Sequence, residues 1–258
     1  MKSAIGKPFN KGLLLGLLGL PALALGHYSW VAPESLQAAV GDSVPVVFGW
    51  GHHPGEGDTV AADRMASLGH WAPDSTWTGL PLHGRESHTS GPLNAPGSHL
   101  LAAQQSRGYW SRTIEGGRRG SLKEYPNATS CSYGNNSSKA IVQVGESDNG
   151  ADIVSQPLGL PLEIVPQAVP AALAEDQAVR VQVLLHGAPL PEATVTVYRE
   201  GHQDEDMAAT FTTDDEGRAE LDLSAGYQWL AQVEATVPFH DQSLCHNHSF
   251  NGTLMFAR

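Results

Sequence analysis

Apolar and polar positions alternate with a period of two through the last third of the chain. Val179, Val181, Val183 and Leu185 stand out against polar or charged neighbours, and the turn His186-Gly187-Ala188-Pro189 follows. Ala193 to Tyr198 is a β-branched strand, and Phe211 to Thr213 opens another. The turn Asp214-Asp215-Glu216-Gly217 leads into the alternating Ala219, Leu221 and Leu223, and Tyr227 to Thr236 and Ser249 to Phe256 complete the set. Period-two runs broken by Gly, Pro, Asn and Asp predict short antiparallel strands. Upstream, Val44 to Trp50 and Ala140 to Val144 carry the same signal. No long helical period occurs. The expected fold is all-β, with two antiparallel β-sandwich domains, 27–160 and 161–258, joined within the proline-rich stretch Pro157 to Pro170. Between the upstream strands, the Gly/Pro/Ser/His-rich stretch Gly51 to Gly108 carries few strand signals. A segment of that kind inside a domain is usually a functional loop or poorly ordered.

The first 26 residues read differently. Lys2, Lys7 and Lys11 precede an apolar run, Gly12 to Leu20, and small residues from Ala22 to Gly26 follow Pro21. That is the layout of a secretory signal peptide, and the run is shorter than the roughly 20 residues a membrane span needs. Removing the three leader lysines leaves 12 basic residues against 27 acidic ones, a formal charge of −15. Such a surface repels nucleic acid and anionic membranes and attracts cations. The expected location is the periplasm, without membrane insertion after the leader is removed. Two cysteines, Cys131 and Cys245, read in an oxidising compartment as a disulfide, with metal-bound thiolates as the alternative.

Twelve histidines carry most of the candidate chemistry. Cleavage after Gly26 makes His27 the first residue, so its α-amine and ring Nδ1 can chelate one ion. A further imidazole then completes a three-nitrogen histidine brace, a donor set suited to Cu(II) or Ni(II). Cleavage after Ala24 makes His27 the third residue, where amine, two amides and imidazole wrap a square-planar ion. His52 and His53 follow the Val44–Trp50 strand directly. Neighbouring strand residues point to opposite faces, so only one of them is expected to reach His27. His246 and His248 share a face if extended. The candidate metal ligands are therefore His27, His52, His53, His246 and His248, while His70, His83, His88 and His99 lie in the irregular stretch with no feature that separates ligand from surface. The acidic turn Asp214 to Glu216 lacks the spaced oxygens of a calcium loop. Metalloprotease, nucleophile-elbow and phosphate-loop motifs are absent, and the N-x-S/T sites at Asn127, Asn136, Asn247 and Asn251 read as chance.

Taken in order, His27-Tyr28-Ser29-Trp30-Val31-Ala32-Pro33, Gly41-Asp42, Gly51-His52-His53-Pro54, Lys139 to Gly145, Leu162 to Pro166 and Gly252 to Phe256 resemble the DUF4198 family of exported proteins. The segment Gly187 to Val195 with Thr213 to Ala219 looks like a prealbumin-type or Cna-B-type module. The DUF4198 resemblance implies a periplasmic protein that binds nickel or cobalt and passes it to an inner- or outer-membrane transporter, without catalysis. It maps the family's first histidine onto His27 and its Gly-His onto Gly51-His52. His53 and the Cys245-His246-Asn247-His248 cluster are departures, resting on chemistry alone. Copper competes for any nitrogen-rich site. A copper histidine-brace redox enzyme, or an envelope adhesion module in which the histidines are incidental, are the competing readings.

Overall fold

The protein is described here by a computed structural model covering residues 27–53, 56–60, 64–81, 88–201 and 209–258, with 52, 53 and 56–59 described through their backbone. The expected leader, His83, His202 and the side chains of His52 and His53 lie outside the described residues. In chain order the strands are β1 (Tyr28–Pro33), β2 (Gln37–Ala38), β3 (Ser43–His53), β4 (Glu56–Thr59), β5 (Met65–Trp71), β6 (Trp77–Gly79), β7 (His88–Pro92), β8 (Gly97–Thr113), β9 (Gly116–Arg119) and β10 (Ser130–Val144). There follow β11 (Leu162–Pro166), β12 (Val179–Leu185), β13 (Ala188–Pro189), β14 (Thr194–Arg199), β15 (Ala209–Thr212), β16 (Arg218–Leu221), β17 (Gln228–Pro238) and β18 (Asn247–Ala257). Among the described residues the helical pieces are one turn at Ala151–Val154 and a 3-10 turn at Pro170–Ala172. None is long and apolar enough to cross a membrane.

The fold is an all-β sandwich built around one long sheet. Its order is β15-β14-β17-β18-β10-β8-β5-β6, with β2 beside β10 and β9 beside β8. The strands before residue 160 and those after it therefore share a single sheet, joined where β10 and β18 run parallel from Ser132↔Asn247 to Ala140↔Met255. The other pairings within the long sheet, apart from the short β2 contact, are antiparallel. A second sheet, β1-β3-β4 with β7 on β3, covers one face; a third, β11-β12-β13 with β16 on β12, covers the other.

Alternation along β18 shows how the two cores are separated. Met255 joins Val31, Val46, Phe48, Leu101 and Val142 under the second sheet. Its neighbours Leu254 and Phe256 join Val181, Val195, Leu221 and Val233 under the third. A strand covered on both faces has no polar side to show, and Phe250 to Phe256 is accordingly buried at every position. Each fully buried Leu, Val or Phe contributes about 1.5–3 kcal/mol by leaving water.

Two local features account for sequence signals that suggested chemistry. The carboxylate of Asp214 accepts hydrogen bonds from the amides of Glu216 (3.0 Å) and Arg218 (2.8 Å), which closes the acidic turn on itself. Cys131 on β10 and Cys245 just before β18 form a disulfide whose Cα atoms are 4.9 Å apart, at the head of the parallel seam. The bond closes a loop across 114 residues, a separation at which a cross-link removes much of the unfolded chain's freedom.

Candidate functional site

The site begins at the amino end of β1. Antiparallel pairing with β3 sets Tyr28 opposite Gly51 and Ser29 opposite Trp50. His27 immediately precedes the strand, so continuing that register by one step leads from His27 towards the backbone of His52. His27 and Ser29 lie on the same face by alternation. Ser29 turns that face to the long sheet: its hydroxyl is 2.9 Å from that of Ser138, and its carbonyl accepts from the Thr253 hydroxyl at 3.0 Å. His27 is exposed, and its ring stacks on Trp50 with centroids 6.2 Å apart and planes 17° from parallel. The Arg107 guanidinium lies 4.3 Å from the Trp50 ring centre, a cation–π contact.

Beneath this end of β1 the long sheet turns polar. Gln105 on β8, Asn136 on β10, Asn251 on β18 and Glu234 on β17 are register partners on four successive strands, so they form one row across the sheet. Asn136 donates to Gln105 at 2.7 Å, and Glu234 accepts from Asn251 at 3.1 Å and from Gln232 at 3.2 Å. Ala103, Ser138, Thr253 and Gln232 form the next row, under Ser29. The side-chain carbonyls of Asn136 and Asn251 are buried without a hydrogen-bond partner among the described residues. Buried carbonyls of this kind cost free energy unless something donates to them or coordinates them.

Charge is concentrated beside the belt. The rings of Tyr28 and Tyr198 stack at 6.1 Å. Burial raises the Tyr28 hydroxyl well above its ordinary value, and nearby Tyr198, Glu200 and Glu234 add to the effect, so it stays protonated. Burial alone raises the Glu200 carboxyl to about 7. Burial lowers the Arg107 guanidinium, and Glu234 opposes that shift. The end of the sandwich thus gathers an imidazole, an indole, a guanidinium, two carboxyls and unsatisfied amide carbonyls.

The remaining candidate ligands lie elsewhere. The Nδ1 of His246 accepts from the Cys131 amide at 3.0 Å, so this ring fastens the disulfide segment. Its neutral form then carries its proton on Nε2. His248 alternates onto the other face of β18 from Thr253, and therefore onto the side away from β1. There its ring packs 4.0 Å from Phe250 and 5.3 Å from Tyr133, and its Nε2 lies 3.0 Å from the Asn135 amide nitrogen. Burial lowers its pKa, and His186 and His240 add to the shift. His248 is thus separated by the sheet from His27, His246 lies at the disulfide segment before β18, and each has its own structural partner. The backbone of His53 pairs with Glu56. Among the described residues, no group of three or more His, Cys, Asp or Glu side chains is arranged to hold a metal ion. Sequence reading missed the polar belt, because its members sit one per strand on strands far apart in the chain. The Asn-Asn-Ser-Ser run of β10, Asn135 to Ser138, was its only local trace.

An all-β sandwich with an exposed histidine leading its first strand over a buried polar belt is the class that the fold and site define. The profile described as a domain of unknown function, DUF4198, matches residues 24–237, and the chain belongs to that family. No curated protein sequence matches it. Solved structures that match include a Salmonella alpha-2-macroglobulin reacted with methylamine, at 13% identity and TM-score 0.25, covering 90% of this chain and 15% of that one. A tetra-tandem repeat from the extending region of a large adhesion protein matches at 10% identity and TM-score 0.21, over 90% of this chain and 49% of that one. A two-domain fibronectin type-III segment of chicken tenascin matches at 10% identity and TM-score 0.22, over 86% and 95%. This chain therefore spans a minor part of the first two.

Proposed function

We propose that the protein is an exported, periplasmic metal-binding protein that holds nickel or cobalt at the processed start of β1 and passes it to a transporter in the inner or outer membrane. Copper is the competing ion. The observation that carries the reading is the position of His27: exposed, stacked on Trp50, and one residue beyond the Tyr28–Gly51 pair, as His52 is on the partner strand. The donor set fits a borderline transition metal. The His27 imidazole, the α-amine that leader removal would free and the imidazole of His52 are nitrogen ligands of the kind nickel and copper prefer. His53, opposite Glu56, is the less favoured neighbour. His246 and His248 are not needed for the site.

The ion would be cargo, so the chain's own residues have only to bind, orient and release. Trp50 braces the His27 ring and limits its rotation. Glu200 and Glu234 add negative charge that favours a cation, and Arg107 offsets part of it. A carboxyl held near neutrality by burial, such as Glu200, loses its proton readily when a cation arrives, so uptake and proton release are coupled.

The test is metal titration of the secreted chain after amino-terminal sequencing. Wild type should bind one equivalent of Ni(II) or Co(II) tightly. His27→Ala and His52→Ala should each weaken binding at least about tenfold, roughly 1.4 kcal/mol. Isotherms that neither substitution changes would overturn the proposal.

A further inference from the structure

A second pair of histidines stands apart from this site. His70 on β5 and His99 on β8 are diagonal neighbours on the long sheet: His70 pairs with Leu101, and His99 pairs with Val142 on the next strand. Leu101 and Val142 belong to the core under the second sheet, so both imidazoles enter that layer. His70 is 8% exposed and His99 1%. Their ring centres are 5.7 Å apart, with the planes tilted by 49°.

Hydrogen bonding fixes the His99 proton. His99 Nε2 lies 2.8 Å from the Ala95 carbonyl, which can only accept, so Nε2 carries the hydrogen. The backbone of Ser90 lies beside the His70 ring and favours its protonated form, against the effect of burial. In both rings Nδ1 is buried and has no hydrogen-bond partner among the described residues. Burial lowers the pKa of both rings, which keeps them neutral at physiological pH. Two neutral imidazoles therefore meet in this layer, each with a buried Nδ1 that lacks a partner among the described residues, and His99 is anchored from behind by the Ala95 carbonyl. Anchoring of that kind is how proteins orient imidazole ligands.

We infer that His70 and His99 form a two-coordinate site for a soft monovalent cation of the Cu(I) class. Divalent nickel and cobalt demand more ligands than two, whereas Cu(I) accepts two nitrogens in a near-linear arrangement and tolerates an apolar surround. Size agrees: with metal–nitrogen bonds of about 2 Å and each nitrogen about 1.1 Å from its ring centre, a linear bis-imidazole ion separates the centres by about 6 Å. The observed separation, 5.7 Å, is close to that distance.

The probe is Cu(I) alone, kept reduced with ascorbate under anaerobic conditions and competed against a chromophoric chelator. In a His27→Ala background the protein should still withhold one equivalent from the chelator. Adding His70→Ala or His99→Ala should lower that affinity at least about tenfold, while His70→Met, which keeps a soft donor, should retain most of it. Nickel binding at His27 should be unaffected by His70→Ala, which separates this site from the one proposed above. Because the alanine variants remove core side chains, the wild-type protein offers an independent reading. Cu(I) should shift the Nδ1 resonances of His70 and His99 in a nitrogen-resolved imidazole spectrum. Undiminished Cu(I) retention in the alanine variants would overturn the assignment, and so would histidine resonances that do not respond.

Discussion

Lys139 Nζ stands 2.8 Å from Glu163 Oε1, and both side chains are 1% exposed. The pair ties β10 to β11, where the chain passes from its first half to its second. Glu163 also accepts from the amides of Leu158 (2.8 Å), Gly159 (3.1 Å) and Leu160 (3.3 Å). Burial pulls the Lys139 ammonium below its ordinary pKa, and the charge and hydrogen bond of Glu163 oppose that shift. Neither charge would be tolerated here alone.

The pair's removal should therefore be costly from either side. Glu163→Gln is expected to lose about 3–5 kcal/mol in urea denaturation, because it leaves a buried ammonium uncompensated. Replacing both residues, as in Lys139→Met with Glu163→Leu, should still leave the protein at least about 2 kcal/mol short, since the three loop amides lose their acceptor. Full recovery in the double variant would show that the loop amides contribute nothing.

Glu200 predicts a pH dependence. Its ordinary value is 4.5 and burial raises it in the folded chain to about 7. Across that window the folded state holds a proton that the unfolded state has given up. Stability from this group therefore falls as pH rises from 4.5 to about 7 and levels off above it. The upper limit of the loss is about 3 kcal/mol. Thermal melts from pH 4.5 to 8 should show the fall in wild type and a flatter profile in Glu200→Gln.

Gly49 and Trp30 are register partners on β3 and β1, and the indole lies where a side chain at Gly49 would go. An added Cβ would come within 1.9 Å of Trp30 Cη2. Gly49→Ala should cost at least about 1–3 kcal/mol through overpacking. Pairing it with Trp30→Val, which withdraws the ring, should recover part of that loss.

The same arrangement explains why part of the fold was hard to read in the sequence. Trp77 covers Gly69, and Trp110 covers Gly117. Glycines that seat an indole look like turn signals, so β5, β6 and much of β8 lay hidden in the stretch from Gly51 to Gly108. The Gln104 to Arg107 segment of β8 and Asn135 to Ser138 of β10 add polar residues that lack alternation, because the sheet keeps a polar belt under its second layer. By contrast, β12, β14 and β18 face apolar layers and announced themselves by β-branched or apolar runs. The shared sheet was invisible locally: parallel pairing of β10 with β18 joins segments over a hundred residues apart. At the candidate site, His27 was proposed from its place after the expected leader, whereas Trp50, Arg107 and Glu234 carried no such signal, because only folding brings them near it.

The most direct measurement is electron paramagnetic resonance of Cu(II) bound as a probe to the processed chain, with and without His27. Nitrogen hyperfine structure in wild type that is lost or simplified in His27→Ala is the predicted result. The same spectrum and stoichiometry in both proteins would contradict a site at the start of β1.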